Sequence, residues 1–223
     1  MNRTREAWER ARSQEPPAQF TLGPVNAATW LRDPKHMGFM LARYKFAGKM
    51  LERCRHILEV GCGEALGTWV LARETQARIL ATDFDAAQVA YAREHVVPLG
   101  EGRIRCECLD LVAAPPPESG FDGLVAIDVV EHLHPGDEPA FLDHILAPLA
   151  PGAAAVIGTP NRLAEAWASP PSRAGHVNLF DPERLRATLE QRFGHVFLFS
   201  MNDEIVHTGF SKMAHYLMAL CVR

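Results

Sequence analysis

The chain has 223 residues, 48% of them hydrophobic and 22% charged, with 16 glycines and 16 prolines; this excludes a disordered or collagenous protein and predicts one domain with a modest appendage. Its 23 basic and 27 acidic residues leave a net charge of -4, so the cationic footprint that holds duplex nucleic acid through its phosphates is missing and a nucleic-acid partner is disfavoured. Five cysteines without a pairing or zinc-finger framework, a charged N-terminus and no long apolar run predict a reduced, cytoplasmic protein with no membrane partner.

Residues 2–14 read as a short polar helix that stops at Pro16 and Pro17, and residues 15–34 are rich in turn formers without a period. Residues 1–34 are therefore expected to form a helical arm or lid, and residues 35–223 the main domain. From Pro34, the spacing of Met37, Met40, Leu41, Tyr44, Met50 and Leu51 predicts an amphipathic helix to about Arg53. HILEVGCG (56–63) is an apolar strand ending in a glycine turn, and residues 65–73 behind it are helical. The unit then repeats: strand ARILATD (77–83), helix 86–97, the weaker strand GRIRCEC (102–108), strand FDGLVAID (121–128), helix 137–149 and strand AAAVIGT (153–159). Such alternation predicts an α/β fold, a Rossmann-like doubly wound and mostly parallel sheet covered on both faces. After a helix near 182–192 come HVFLFSM (195–201) and HYLMALCV (215–222) with no helix between them, which predicts an antiparallel C-terminal edge.

In such sheets a ligand lies at the carboxyl ends of the strands, where the strand order reverses, so the motifs there carry the chemistry. Glu59, Gly61, Gly63 and Gly67 form a glycine turn, but the dinucleotide fingerprint would need a small residue where Leu66 stands. Glu59 and Glu64 also oppose a diphosphate at the following helix N-terminus and suit an ammonium and a sulfonium better.

ILEVGCGEALG, with the strand-end acids of ATDFD and CLDL, resembles the first motifs of the class I S-adenosylmethionine-dependent methyltransferases, from about Arg43 to the C-terminus. The resemblance implies S-adenosylmethionine as cofactor. It places Glu59, Gly61 and Gly63 in the cofactor turn, Asp83 on the two ribose hydroxyls, Phe84 as an apolar wall for the adenine, Asp110 at the adenine amino group and Leu111 beside it. It also suggests that Arg43 or Tyr44, on the helix before the domain, contacts the methionine carboxylate. Asp128, at the end of the fourth strand, is expected to border the same ligand.

One helical turn after that strand would put Asp128, Glu131 and His132 at i, i+3 and i+4 on one face, with His176 on the loop after the fifth strand. Two carboxylates and two histidines can form a divalent metal set that lowers the pKa of an attacking hydroxyl. The set resembles the acid-x-x-Glu-His and later His of metal-dependent small-RNA 2'-O-methyltransferases, and less closely the ubiquinone-pathway O-methyltransferases. It departs from the former in having Asp for Glu at the first position and no basic RNA-binding domain. Three readings stay open: a metal held by Asp128, Glu131, His132 and His176; a metal-free site with His132 or His176 as general base; and a structural hydrogen-bond role. His134 reads as a turn residue, with His207 and His215 as reserve substrate contacts. Arg162 and Arg173, in the loop over 160–180, are candidate contacts to an anionic group. The expected reaction is O-methylation of a small-molecule acceptor, a polar metabolite such as a sugar, glycan precursor or quinone precursor. The rivals are a non-catalytic protein that binds S-adenosylmethionine for regulation and, weakened by Leu66 and Glu59, a nicotinamide-dependent oxidoreductase.

Overall fold

The computed structural model describes residues 3–14 and 18–223, so the expected stop at Pro16 and Pro17 lies outside the described residues. Helices α1 (Arg3–Gln14), α2 (Pro24–Arg32) and α3 (Pro34–Met50) come first. The alternating unit then supplies β1 (His56–Val60), α4 (Leu66–Glu74), β2 (Arg78–Asp83), α5 (Ala86–His95), β3 (Ile104–Cys108), β4 (Phe121–Ile127), α6 (Glu138–Leu146) and β5 (Leu149–Pro160). The chain ends with α7 (Pro170–Gly175), α8 (Pro182–Glu190), β6 (His195–Asn202), β7 (Ile205–His207) and β8 (Tyr216–Val222).

All eight strands form one sheet in the order β3-β2-β1-β4-β5-β8-β6-β7. Strands β1 to β5 pair parallel, and β8 runs antiparallel to both β5 and β6. The order reverses between β1 and β4, so Gly61 and Asp128, the residues that follow these two strands, flank the crevice where a ligand is expected.

Alternation of side chains along each strand separates two cores, one on each face of the sheet. Leu58, Val60, Leu124 and Ala126 join one core; Ile57, Val125 and Ile127 face the other, which includes Tyr44, Ala47 and Leu51 of the segment before β1. The continuous apolar runs of β1 and β4 thus follow from burial on both faces. The same period of two puts Glu59 on the side of Ile57, beneath α3.

Three expectations change. The two final long strands do pair antiparallel, but β8 is interior, between β5 and β6, and the edge is the short β7, which lies in the stretch read as a polar loop. Residues 24–32 form α2 rather than an aperiodic arm. This helix buries no residue of its own, so it leaves no apolar stripe in the sequence; Pro24 opens it, and a distant carboxylate, Glu64, holds its first amides. The helix expected over 86–97 ends at His95 and gives way to a 3-10 turn, Val97–Gly100, led by the proline at 98.

Candidate active site

The turn after β1 is built on positive φ angles, 75° at Gly61 and 54° at Gly63, followed by 61° at Ala65. The amides of Gly61 and Cys62 donate to the Thr82 carbonyl at 2.8 and 3.0 Å, which anchors the turn to the end of β2. Asp83 completes the anchor: its Oδ2 accepts from the Gly63 amide at 2.8 Å and its Oδ1 from the Asp85 amide at 2.9 Å. Phe84 beside it is 79% exposed, an apolar face with no protein cover and available to a ligand ring.

Two of the glycines also make room for neighbouring side chains. A Cβ on Gly61 would lie 2.4 Å from Val129 Cγ2, and one on Gly67 would lie 2.2 Å from the Tyr44 ring. These two glycines let protein pack against the turn.

Several expected cofactor residues have partners within the protein or turn into its core. Glu59 is fully buried, with Thr68 and Tyr44 facing it; burial pushes its carboxyl up to about 7, and the two hydroxyls draw it partly back. Neither Glu59 oxygen has a hydrogen bond of regular geometry. Tyr44 is a core residue packed on α4 and does not line the crevice, whereas Arg43, the other residue considered for that role, does. Leu111 turns into the core, and exposed Asp110 accepts from the Val112 amide at 2.9 Å, closing its own turn. Glu64, read as a partner for a cationic ligand, accepts from the Val25 and Asn26 amides at 2.7 and 2.9 Å and so holds the start of α2 over the glycine turn.

Across the crevice, Asp128 adopts φ 57°, and its amide donates to the Gly158 carbonyl at 3.0 Å and toward the Tyr216 hydroxyl at 3.3 Å. Its Oδ2 accepts from Arg43 Nη1 at 2.6 Å. The Arg43 guanidinium is buried and lies 3.7 Å from the centre of the Tyr216 ring, with Nε unpartnered. Burial disfavours its charge, but the Asp128 carboxylate more than offsets this and its pKa is raised.

The expected helical turn after β4 is a short 3-10 turn, Val130–His132. It turns Glu131 inward, fully buried, where Oε2 accepts from Thr159 Oγ1 at 2.9 Å and Oε1 has no partner. Burial first, and then the Asp128 charge, push this carboxyl up to about 8. His132 Nδ1 lies 2.9 Å from the Gly175 carbonyl, and its ring meets His176 edge-on with centroids 5.0 Å apart. Burial, with His132 beside it, lowers the His176 pKa and favours the neutral imidazole.

One ligand atom each from Glu131, His132 and His176 lies within 4.8 Å of the others. A metal fits this donor set: a buried carboxylate oxygen without a partner faces two imidazoles, an arrangement suited to a transition ion. Asp128 is not brought into the group, because its carboxylate is paired with Arg43.

Beside these groups opens a cavity of about 560 Å³ whose lining includes His36, Phe39, Arg43, Trp167, His176 and Tyr216. His36, Phe39 and Arg43 recur at i, i+3 and i+7 on α3, one strip beside its buried stripe, a pattern legible in the sequence and passed over because Arg and His do not register as apolar period. Tyr216 arrives from β8, where nothing local marks it, and His215, read as a reserve substrate contact, lines the cavity beside it. Arg173 also lines the cavity, while Arg162 pairs with Asp181 at 2.5 Å. His207 is held by Asn202 and the Gly209 amide in its own turn, and the His134 carbonyl closes the turn to Asp137.

Residues 57–152 match a family model described as a methyltransferase domain. A probable S-adenosylmethionine-dependent methyltransferase of Mycolicibacterium smegmatis is 30% identical over 62% of this chain and 50% of its own length. A ubiquinone biosynthesis O-methyltransferase of Paramagnetospirillum magneticum is 37% identical over 50% of this chain and 43% of its own. The chain thus spans about half the length of these curated relatives. Among solved structures, the methyltransferase domain of bacterial CtHen1-C aligns with TM-score 0.67 at 16% identity, over 82% of this chain and 97% of that domain, which shows a shared fold. The matched domain, the S-adenosylmethionine-dependent relative and the strand order reversing at the glycine turn together support a class I S-adenosylmethionine-dependent methyltransferase.

Proposed function

We propose that this chain O-methylates a hydroxyl of a polar small molecule bound in the 560 Å³ cavity, with a divalent metal held by Glu131, His132 and His176. The observation that carries the reading is the buried Glu131 carboxyl, with Oε1 orphaned, within 4.8 Å of ring nitrogens of His132 and His176, both of which line that cavity. The cavity volume falls in the range of small-molecule sites, roughly 300 to 1,000 Å³, and the acidic chain offers no broad surface for nucleic acid. The likeness to a ubiquinone biosynthesis O-methyltransferase supports oxygen as the methylated atom. In the same reading residues 1–34 are the lid, residues 35–223 the catalytic domain, and the setting cytoplasmic. The described residues contain no helix long and apolar enough to cross a membrane.

S-Adenosylmethionine supplies an already activated methyl group, so the residues of the chain have two tasks, to place the acceptor oxygen in line and to remove its proton. Asp83 accepts from the ribose hydroxyls, Phe84 covers the adenine, and Asp110 borders its amino group. Arg43, with one N–H unpartnered, faces the methionine carboxylate while Asp128 keeps its guanidinium oriented. His176, kept neutral by burial, and His132 can hold a metal or take up the acceptor proton, and Thr159 fixes Glu131 by donating to its second oxygen. A metal bound there would stabilise the acceptor alkoxide.

The test is a methyl-transfer assay against a panel of hydroxylated metabolites, before and after exhaustive chelation. Turnover should stop on chelation with cofactor binding retained, and return with Mn²⁺, Fe²⁺, Co²⁺ or Zn²⁺ more than with Ca²⁺. Full activity of metal-stripped protein would replace the metal by a histidine base. Tight cofactor binding with no transfer to any acceptor would favour the regulatory binder.

A further inference from the structure

We infer that Asn178, clamped by Arg184 and Glu138, is the positioning residue that sets His176 against the Glu131–His132 turn; the inference rests on the assignment of His176 to the transfer site. His176 and His132 belong to segments 44 positions apart in sequence, and the chain near His176 is short-range structure only, the end of the six-residue α7 followed by an irregular run to Phe180. Besides the contact of His132 Nδ1 with the Gly175 carbonyl, Asn178 holds that run in register with the turn after β4. Its backbone amide donates to the Glu131 carbonyl at 3.0 Å, and its side-chain Nδ2 donates toward the Val130 carbonyl at 3.5 Å.

The rest of the carboxamide is used in the opposite direction. Nδ2 donates to Glu138 Oε2 at 2.7 Å, and Oδ1 accepts from Arg184 Nη2 at 2.8 Å. Arg184 closes the ring by donating to Glu138 Oε2 at 2.5 Å, while its Nη1 holds the Leu179 carbonyl at 2.8 Å. Glu138 opens α6 and Arg184 lies on α8, so two helices outside the transfer site fix the plane of one buried amide, itself 3% exposed. A carboxamide is the group that can do this: it donates to a carboxylate and accepts from a guanidinium at once. Asp at 178 would oppose Glu138, and an apolar residue would leave Glu138 and Arg184 to pair across a gap. Since Asn178 is two residues from His176, and Val130 two from His132, rotation of that amide moves the two imidazoles relative to each other.

The decisive readout is the distance between the two rings, which needs neither acceptor nor turnover. Two-dimensional NMR on the protein with ¹³C-labelled histidine should show a nuclear Overhauser contact between His132 and His176 in the wild type, as their 5.0 Å centroid separation requires. N178A should lose that contact while S-adenosylmethionine still raises the melting temperature as in the wild type. Affinity for Co²⁺ alone should fall about 10- to 100-fold, the usual effect of removing a residue that orients a ligand. R184Q, at a half-exposed residue and less of a risk to folding, should weaken the contact in the same direction. Should N178A unfold, R184Q decides by the same measurement. An undiminished ring contact in the folded variants overturns the proposal. Loss of the contact in a protein whose wild type binds no Co²⁺ sustains the positioning role and removes the metal from the proposed function, so the two readings fail separately.

Discussion

Asp83 anchors the glycine turn, its oxygens accepting from the Gly63 and Asp85 amides. In the proposed function its remaining lone pairs accept from the ribose hydroxyls. Asp83→Ala should lower S-adenosylmethionine affinity about 10- to 150-fold, the equivalent of one lost charge-assisted hydrogen bond, with the protein still folded; calorimetric titration giving an unchanged constant would take Asp83 out of the site. Glu59 predicts a different kind of signature. Its carboxyl is raised from 4.5 to about 7 by burial, so the folded state holds a proton that the unfolded state has already released. This contribution to stability is complete below pH 4.5 and is lost as pH rises through 7, up to roughly 3 kcal/mol for a shift of that size. Glu59→Gln, which stays neutral, should be more stable relative to the wild type at pH 8 than at pH 5 in urea unfolding. A difference independent of pH would mean that Glu59 is ionised throughout.

The glycine turn and α2 depend on each other as elements. Val at 61 would need both a positive φ and the space filled by Val129, so Gly61→Val should lower the melting temperature as well as abolish cofactor binding. Binding lost from a protein of unchanged stability would mean that position 61 faces the ligand and not Val129. On the outer side of the turn, the Glu64 carboxylate caps α2, and the Tyr91 hydroxyl donates to the Thr21 carbonyl on the approach to it. A cap of this kind is worth about 1 kcal/mol. Because α2 buries none of its residues, Glu64→Ala should release it locally, seen as faster proteolysis within 18–33 and faster cofactor exchange while the global unfolding midpoint holds. Equal protease resistance would show that contacts with α3 suffice to hold α2.

For the whole molecule, the likeness to S-adenosylmethionine-dependent methyltransferases predicts a ligand preference that a melting experiment reads directly. S-Adenosylmethionine at about 100 times its dissociation constant should stabilise the folded chain by roughly 2.7 kcal/mol. NAD should give no shift, because the glycine turn carries Leu66 where the dinucleotide fingerprint needs a small residue, and the buried Glu59 lies beneath it. A shift with NAD alone would return the oxidoreductase reading.

The repeating strand and helix units, the glycine turn and the order of strand-end acids were all legible in the sequence, because each rests on local rules: a side-chain period of 2 or 3.6, the backbone freedom of glycine and short apolar runs. The interior place of β8 was not, since it pairs with β5 across more than fifty residues of chain, and the edge strand β7, which pairs locally with β6, is only three residues long and too short to show a period. The same limit governed the site. Spacing brought Glu131 and His132 together and singled out His176, but it also enlisted Asp128, whose carboxylate goes to Arg43, 85 positions away. Glu59 and Tyr44 looked like cofactor contacts because an acid and a phenol near a ligand turn are chemically apt. Which face of β1 and of α3 turns to the core decides that they meet each other instead, and that decision belongs to the packing of the two layers, which no local stretch of the chain encodes.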